Sequence, residues 1–397
     1  MNVLYVSDSD TVSGAEIVML QYLQHFRPPE HHPHVFFRER NARLRAALTE
    51  LGVPFTTTTN YSERIIETTA SPAALAAYAR AFWRVRRELA DTIRAREIDL
   101  VHSISYPAAL YAALASRATG VRQIWHEHNI KRLHAVNTRL YRFTAATAAR
   151  VIGPSDAVSH NLRRAGIADA TAITVYNGID LSRFRIDDAK ATAVRQELGL
   201  RPGQPAVGLF GQMLPHKGHA TLVQAAPALR ARFPDLRCFF VGALENPPYQ
   251  HALTDAMGRA GVGDLFTFTG WRRDVPDVVR AMDVIVVATT TQEPAALALM
   301  ETMAMGRPIV ATRTGGTPEL VLDGVTGRIF PPGDAAALAD GLGQLLADPA
   351  MRDALGRAGR QRMEAHFSLE RHLQQMAAEY HAAAPRPAGP SPADRPR

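Results

Sequence analysis

The chain has 397 residues, a formal net charge of +7 and a single cysteine. That length allows two α/β domains, each burying its own core. One cysteine excludes an intrachain disulfide framework, and no apolar run is long enough to cross a bilayer as a helix. Met1 to Ser7 reads as an opening strand rather than a leader, so a cytoplasmic setting is expected. Further strands are expected at Asp99–His102, Gln123–Trp125, Arg150–Gly153 and Ile173–Tyr176, separated by helical stretches. A turn-rich link runs from Asn177 to Asp188. The second half repeats the rhythm at Ala206–Phe210, Arg237–Val241, Leu265–Thr269, Val284–Ala288 and Pro308–Ala311. Near-continuous apolar strands between helices are the pattern of a parallel sheet covered on both faces. Cys238 falls inside one such run and is expected to pack there. From Ala384 the chain is too proline-rich to pack, and residues 384–397 are expected to form a disordered tail.

The charge is uneven. Met1 to Arg185 carries 23 Lys+Arg against 16 Asp+Glu, and the remainder is balanced at 22 against 22. Between Val101 and Arg150 there are seven basic residues, and Glu127 is the single acid. The runs Arg84-Val-Arg-Arg87 and Lys131-Arg132, with Phe82, Trp83, Tyr141 and Phe143 nearby, fit either an anionic membrane surface or a plain solvated helix face. No nucleic-acid module accompanies the charge, so nucleic acid is not an expected partner.

The most informative segment is Glu293-Pro-Ala-Ala-Leu-Ala-Leu-Met-Glu301. Asp283–Ala288 reads as a buried strand and Thr289 to Gln292 as its turn. A helix is then expected to open with Pro294 near its first position and to stop at Gly306. That helix is apolar almost all round, and Glu301 is out of place in it, because a buried unpaired carboxylate is costly. Helical spacing would put Glu301 roughly 12 Å along the axis from Glu293. Helix N-termini at strand ends attract phosphates. A carboxylate at each end of that distance suits a ligand with hydroxyls on both sides of a diphosphate, as in a nucleotide sugar.

Other segments carry compatible chemistry. Phe210-Gly211-Gln-Met-Leu-Pro-His-Lys217-Gly218 follows a strand, with glycines that admit a phosphate and one of only three lysines, Lys131, Lys190 and Lys217. Thr11-Val-Ser13-Gly14-Ala-Glu16 opens the first helix, where Ser13 also serves as a plain cap. Trp125-His126-Glu127-His128-Asn129 follows another strand, and no third ligand set turns its histidines into a metal site. Gly242-Ala-Leu-Glu245-Asn and Gly270-Trp271-Arg272-Arg273-Asp274 lie at further strand ends.

The string Glu293 to Glu301, followed by Thr302-Met-Ala-Met-Gly306-Arg-Pro308-Ile-Val-Ala311 and Gly315-Gly316-Thr-Pro-Glu319, resembles the donor-site signature of the retaining family 4 glycosyltransferases. The likeness runs from Met1 to about Tyr380. It implies an α/β protein of GT-B fold, with two Rossmann-like doubly wound domains facing across a cleft. Residues 1–185 would form an acceptor-side domain, with a final helix 367–383 packing back on it, and residues 186–366 the donor domain. The implied reaction moves a hexose from a nucleoside diphosphate sugar, UDP favoured over GDP-mannose, to a glycan or lipid-linked acceptor with retained configuration. No metal and no other cofactor is implied, and the setting would be envelope polysaccharide or glycoconjugate synthesis, cytoplasmic or peripheral on the inner membrane face.

The resemblance also assigns roles. Lys217, the Ser13-Gly14 loop, Gly211, Gln212 and the backbone at Ala295, Ala296 and Leu297 would hold the diphosphate, with close approach permitted at Gly315. Glu301 would hold the ribose and Glu293 the sugar hydroxyls. His128 would face the sugar and acceptor, whereas His126 is expected to be structural. Gly270 and Arg272 would lie near the base, with Trp271 either stacking on it or packing. Asp8-Ser9-Asp10 matches the metal mark of the other large glycosyltransferase fold, but after the first strand it reads as loop chemistry or helix entry. Three positions depart from the family pattern: Gln212 stands where an arginine is usual, Pro294-Ala295-Ala296 where Gly-Phe-Gly is common, and Ser13 in place of a paired glycine. Gln212 and Pro294-Ala295-Ala296 motivate one alternative, a catalytically weak nucleotide-sugar-binding subunit; a second, less favoured, is a nucleotide-sugar epimerase of the same fold, whose chains generally lack this donor string with Lys217.

Overall fold

A computed structural model describes residues 1–27, 30–61, 72–244, 246–295 and 297–384. The chain forms two compact units, one of Met1–Val175 joined by the chain from Leu373 onward, the other of Tyr176–His372. Residues 176–185, expected with the first domain, belong to the second, because Ile179 and Phe184 are buried in its core and Ile179 bridges to Ser368. The proposed tail from Pro385, Glu245 and Ala296 lie outside the described residues.

In the first unit the chain runs β1 (Asn2–Val6), α1 (Gly14–His25), β2 (His32–Arg38), α2 (Ala42–Glu50), β3 (Phe55–Thr58), α3 (Pro72–Ala95), β4 (Leu100–Ser103) and α4 (Tyr106–Thr119). It continues with β5 (Arg122–His126), α5 (Ala135–Ala145), β6 (Ala148–Gly153), α6 (Asp156–Arg164) and β7 (Ala172–Thr174). The strands form one parallel sheet in the order β3-β2-β1-β4-β5-β6-β7. Strand alternation sends side chains to opposite faces. Val3 and Tyr5 of β1 therefore join one core with α1 and α2, while Leu4 and Val6 join another with α3 and α4.

The second unit runs α7 (Asp188–Glu197), β8 (Ala206–Phe210), α8 (His219–Arg232), β9 (Arg237–Val241), α9 (Pro247–Arg259), β10 (Phe266–Gly270), α10 (Val275–Ala281) and β11 (Val284–Val287). It goes on through α11 (Leu297–Ala304), β12 (Ile309–Thr312), α12 (Thr317–Leu320), β13 (Arg328–Phe330), α13 (Ala335–Ala347) and α14 (Pro349–His366). Its parallel sheet has the order β10-β9-β8-β11-β12-β13. A last helix, α15 (Leu369–Ala383), carries the chain back, and Met376, Tyr380 and Ala383 are buried in the first unit's core.

Both sheets reverse direction once. The first lays β2 and β3 on one side of β1 and then returns to start β4 on the other; the second does the same with β8 and β11. In such sheets the crevice beyond the carboxyl ends of the strands at the reversal is where ligands bind. All ten expected strands form. Strands β2, β3 and β13 are additional, and each has a reason to escape a search for apolar runs: His32-Pro33-His34, Phe55-Thr-Thr-Thr58 and a length of only three residues.

Candidate functional site

The loops that leave β8 and β11 meet at the second sheet's reversal. After β8 the chain is tied to β9, with the Gly211 amide donating to Val241 O at 2.9 Å and Met213 N to Ala243 O at 3.1 Å. It then makes a short 3-10 turn over Pro215–Lys217 and enters α8 through Gly218. Gly218 has φ +78°, and a Cβ there would stand 1.9 Å from the Ala288 carbonyl oxygen. Thr290 N donates to His216 O at 2.8 Å, so the two loops are joined main chain to main chain.

A third loop, leaving β12, closes on the second. Gly315 has φ +49°, and a Cβ on it would lie 1.9 Å from the carbonyl oxygen of Glu293. Gly316 N donates to that same oxygen at 2.8 Å, and Gly315 N to Gln292 Oε1 at 3.1 Å. Held in this way, Glu293 turns its carboxylate toward Lys217. Nζ lies 3.0 Å from Oε2, and Thr289 Oγ1 donates to the same oxygen at 3.2 Å. Lys217 and Glu293 keep 28% and 14% of their side-chain surface exposed, enough for an arriving ligand to compete for the pair.

The helix after Glu293 begins at Leu297, not at Pro294. Pro294 and Ala295 are loop, so the expected single helical ruler from Glu293 to Glu301 does not apply. Proline suits a helix start, but the contacts that Gly315 and Gly316 make with the Glu293 carbonyl hold this stretch in a non-helical path. Glu301 sits half-buried on α11 among buried Met300 and Thr302. Burial pushes its carboxyl above the ordinary range, and Arg183 partly offsets this.

Not all expected residues converge. Arg272 is fully engaged, with both edges of its guanidinium on Glu197 (2.5 and 3.1 Å) and Asp274 (2.5 and 2.8 Å). A fork so occupied braces β10's exit against α7. Trp271 is 66% exposed, with Arg273 stacked 5.6 Å from its ring, so it does not pack. Gln212 is exposed on the β8 loop.

In the first unit Glu16 is buried and gathers the loop after β1. It accepts from Ser7 Oγ (3.0 Å), Ser13 N (3.0 Å) and Ser13 Oγ (2.5 Å), which makes Ser13 the cap of α1 and leaves Gly14 exposed beside it. The D-x-D pair is split. Asp8 accepts from Ser105 Oγ at 2.5 Å, while Asp10 pairs with Arg38 (3.5 Å) and Arg40 (3.2 Å). Among the described residues no group of three or more His, Cys, Asp or Glu is arranged to hold a metal.

His126 ends β5, fully buried and stacked on His102 at 5.7 Å. Two residues on, His128 is half-buried, its ring centroid 4.1 Å from that of His126. Of the aromatic residues near the basic runs, Tyr141 is buried and Phe82 packs on the core, Phe143 is half-buried under Arg117 at 4.2 Å, and Trp83 is 55% exposed beneath Arg86. Exposed instead are Val136 and Leu140, one turn apart on α5. Among the described residues no helix is long and apolar enough to cross a membrane.

Residues 12–183 match the model of glycosyltransferase family 4, and residues 190–362 that of glycosyl transferases group 1. The chain is 31% identical over 290 residues to a GDP-mannose-dependent alpha-(1-6)-phosphatidylinositol monomannoside mannosyltransferase of Mycolicibacterium smegmatis, covering 66% of this chain and 70% of that one. It belongs to the family 4 glycosyltransferases. A second similar member is the lipopolysaccharide core biosynthesis mannosyltransferase LpsB of Rhizobium meliloti, 31% identical, with 65% of this chain and 79% of that one covered. The fold matches that of Anabaena HepE in complex with UDP at a TM-score of 0.83, with 24% identity and 96% and 100% of the two chains covered. The fold is thus GT-B, and the protein is an enzyme that transfers a sugar from a nucleotide sugar.

Two side chains of this glycosyltransferase beside the Lys217–Glu293 pair carried no sequence signal of their own. Thr289 was one of three threonines in a turn, and only its burial beside Glu293 separates it from Thr290 and Thr291. Gln292 binds the Gly315 amide across a fold contact that no local pattern reports.

Proposed function

We propose that this glycosyltransferase moves a hexose from a nucleoside diphosphate sugar to an acceptor hydroxyl with retained anomeric configuration, without metal or other cofactor. The observation that carries the reading is the Lys217–Glu293 pair, built on interlocked loops at the sheet reversal where a diphosphate is expected to sit. In this reading Lys217, with the main chain at Gly211, Gln212, Ala295, Ala296, Leu297 and Gly315, stabilises the leaving diphosphate as charge develops on it. Glu293, relieved of Lys217 by the phosphate, takes sugar hydroxyls, and Glu301 takes the ribose. Ser13-Gly14 is assigned to the phosphates, and His128 to orienting the sugar or the acceptor. The bond from the anomeric carbon to phosphate breaks, the acceptor oxygen bonds to the same face, and its proton passes to a phosphate oxygen.

A UDP-sugar is the first donor to test, and GDP-mannose the second reading, favoured because one similar relative is named for GDP-mannose and both for mannosyl transfer. The acceptor is a glycan or a lipid-linked precursor. The exposed Val136–Leu140 edge lies among Lys131, Arg132 and Arg139, and it fits contact with an anionic membrane face on the cytoplasmic side. Thermal shift with UDP, GDP, ADP and CMP, each with and without Mg²⁺, tests the site. A ligand at a hundred times its Kd adds about 2.7 kcal/mol of stability. A metal-independent shift with one diphosphate supports the reading and names the donor; no shift with any of them removes it.

A further inference from the structure

We propose that Glu127 is a positioning residue for His128, its carboxyl group holding the turn that presents the imidazole. The proposal rests on the role given to His128 above. Glu127 is fully buried, and its amide donates to Ile152 O at 2.9 Å, which fixes its main chain to the end of β6. Its Oε1 accepts the Asn129 amide at 2.9 Å, closing a tight turn with His128 at its centre. The imidazole is thus supported by the ring of His126 at 4.1 Å and by a main-chain turn tied by one side chain.

A neutral glutamine could accept the same amide without placing a carboxylate in the interior, so the bond alone does not account for the acid. Several neighbours interact with a charge at this position. Lys131, on the same loop, favours the ionised form, as do the Asn129 amide and side chain and the Trp125 indole. The Tyr141 phenol on α5, itself near Tyr106 on α4, is held protonated by burial and in part by the Glu127 carboxylate. Burial outweighs the favourable groups and pushes the carboxyl up to about 7. A carboxylate accepts an amide more strongly than a carboxylic acid does, so the turn tightens as pH rises through neutrality and loosens below it.

The test has two arms on the full-length protein. In the free protein, NMR follows the Asn129 amide proton between about pH 5.5 and 8.5. It should move with a midpoint near 7, as the carboxyl does, and Glu127→Gln should abolish that movement. Lys131→Met, an exposed change, should raise the midpoint. A movement that persists in Glu127→Gln, or a midpoint indifferent to Lys131, overturns the proposal. The second arm measures UDP or GDP release from UDP-glucose or GDP-mannose, whichever is turned over. Wild type should lose kcat on the acid side of neutrality. Glu127→Gln should show a level profile at a plateau lowered about tenfold, with KM for the donor unchanged. An acid limb identical in the variant also overturns the proposal. If His128→Ala keeps full turnover, the role of His128 fails, whereas the Asn129 titration still reports on the turn itself.

Discussion

Lys217 and Glu293 form a 3.0 Å ion pair between the two loops that flank the reversal of the second sheet. Each is the other's partner, and each is also the residue that a diphosphate or a sugar would claim. Binding must therefore exchange one charged contact for another. Replacing Lys217 by Met should abolish the thermal shift with nucleoside diphosphate. It should also lower stability by about 1–2 kcal/mol, since a hydrogen bond to a charged group is lost at a partly exposed site. Denaturant unfolding of Lys217→Met, Glu293→Gln and the double variant should show that the two effects do not add. Full additivity would mean that the pair contributes nothing.

Glu301 should separate stability from binding. Burial disfavours its ionised form, so Glu301→Gln should unfold at the same or a higher temperature near neutral pH. The same change should weaken nucleoside diphosphate binding about tenfold or more, as expected when a charged acceptor of ribose hydroxyls is removed. Calorimetric titration beside a melting curve reads both signs, and unchanged affinity would remove Glu301 from the site.

Gly315→Ala should be far more damaging than a glycine change of similar backbone strain elsewhere. Gly333 has φ +75° with nothing within 4 Å of an added Cβ, whereas a Cβ on Gly315 meets Glu293 O at 1.9 Å. Gly333→Ala should cost about 1 kcal/mol, with ligand shifts intact. Gly315→Ala should lose the diphosphate shift along with more stability. Equal effects in the two variants would show that the close approach at Gly315 is relaxed without consequence.

Acid should destabilise the protein well above the range where ordinary carboxylates titrate. Burial holds His34, His219 and His372 down to about 4, against an ordinary value of 6.5. A histidine of this kind binds its proton more weakly folded than unfolded. Its contribution is complete above about 6.5 and is lost as pH falls toward 4. Glu127 and Glu301, raised by burial, act with the opposite sign over part of this range. His372, whose Nδ1 lies 2.6 Å from Tyr176 O, is the variant of choice. Melting temperature in His372→Gln should fall less steeply with acid than in wild type, and an identical slope would exclude His372 as a contributor.

The α5 edge makes a separate prediction. Sedimentation with vesicles containing anionic lipid at low salt should retain the wild type, and Val136→Asp with Leu140→Asp should release it. Retention of the variant would point to another surface.

Much of this was legible in the chain. The apolar runs at Ala206–Phe210 and Val284–Val287 announce strands, and a strand end followed by glycine and lysine announces an anion site. Strand order is a different matter. Nothing local says that β11 returns to lie beside β8, yet that return is what brings Lys217 to Glu293. Arg272 shows the same limit, because its partner Glu197 is 75 residues distant. On α5 the sequence offered aromatic residues for the surface, but helical rotation turns Tyr141 inward and Val136 and Leu140 outward. Pro294 misled for a tertiary reason, since the β12 loop, not local propensity, sets the path of that stretch.

The seams at Gly218 and Gly315 have a consequence for how this enzyme can vary. Three loops are fastened largely through peptide groups, so their path is independent of most of the side chains they carry. Gln212 and Ala295 lie on these loops outside the fastening. Exchanges at such places would alter the surface that the loops present while leaving their path in place, provided that the two glycines stay.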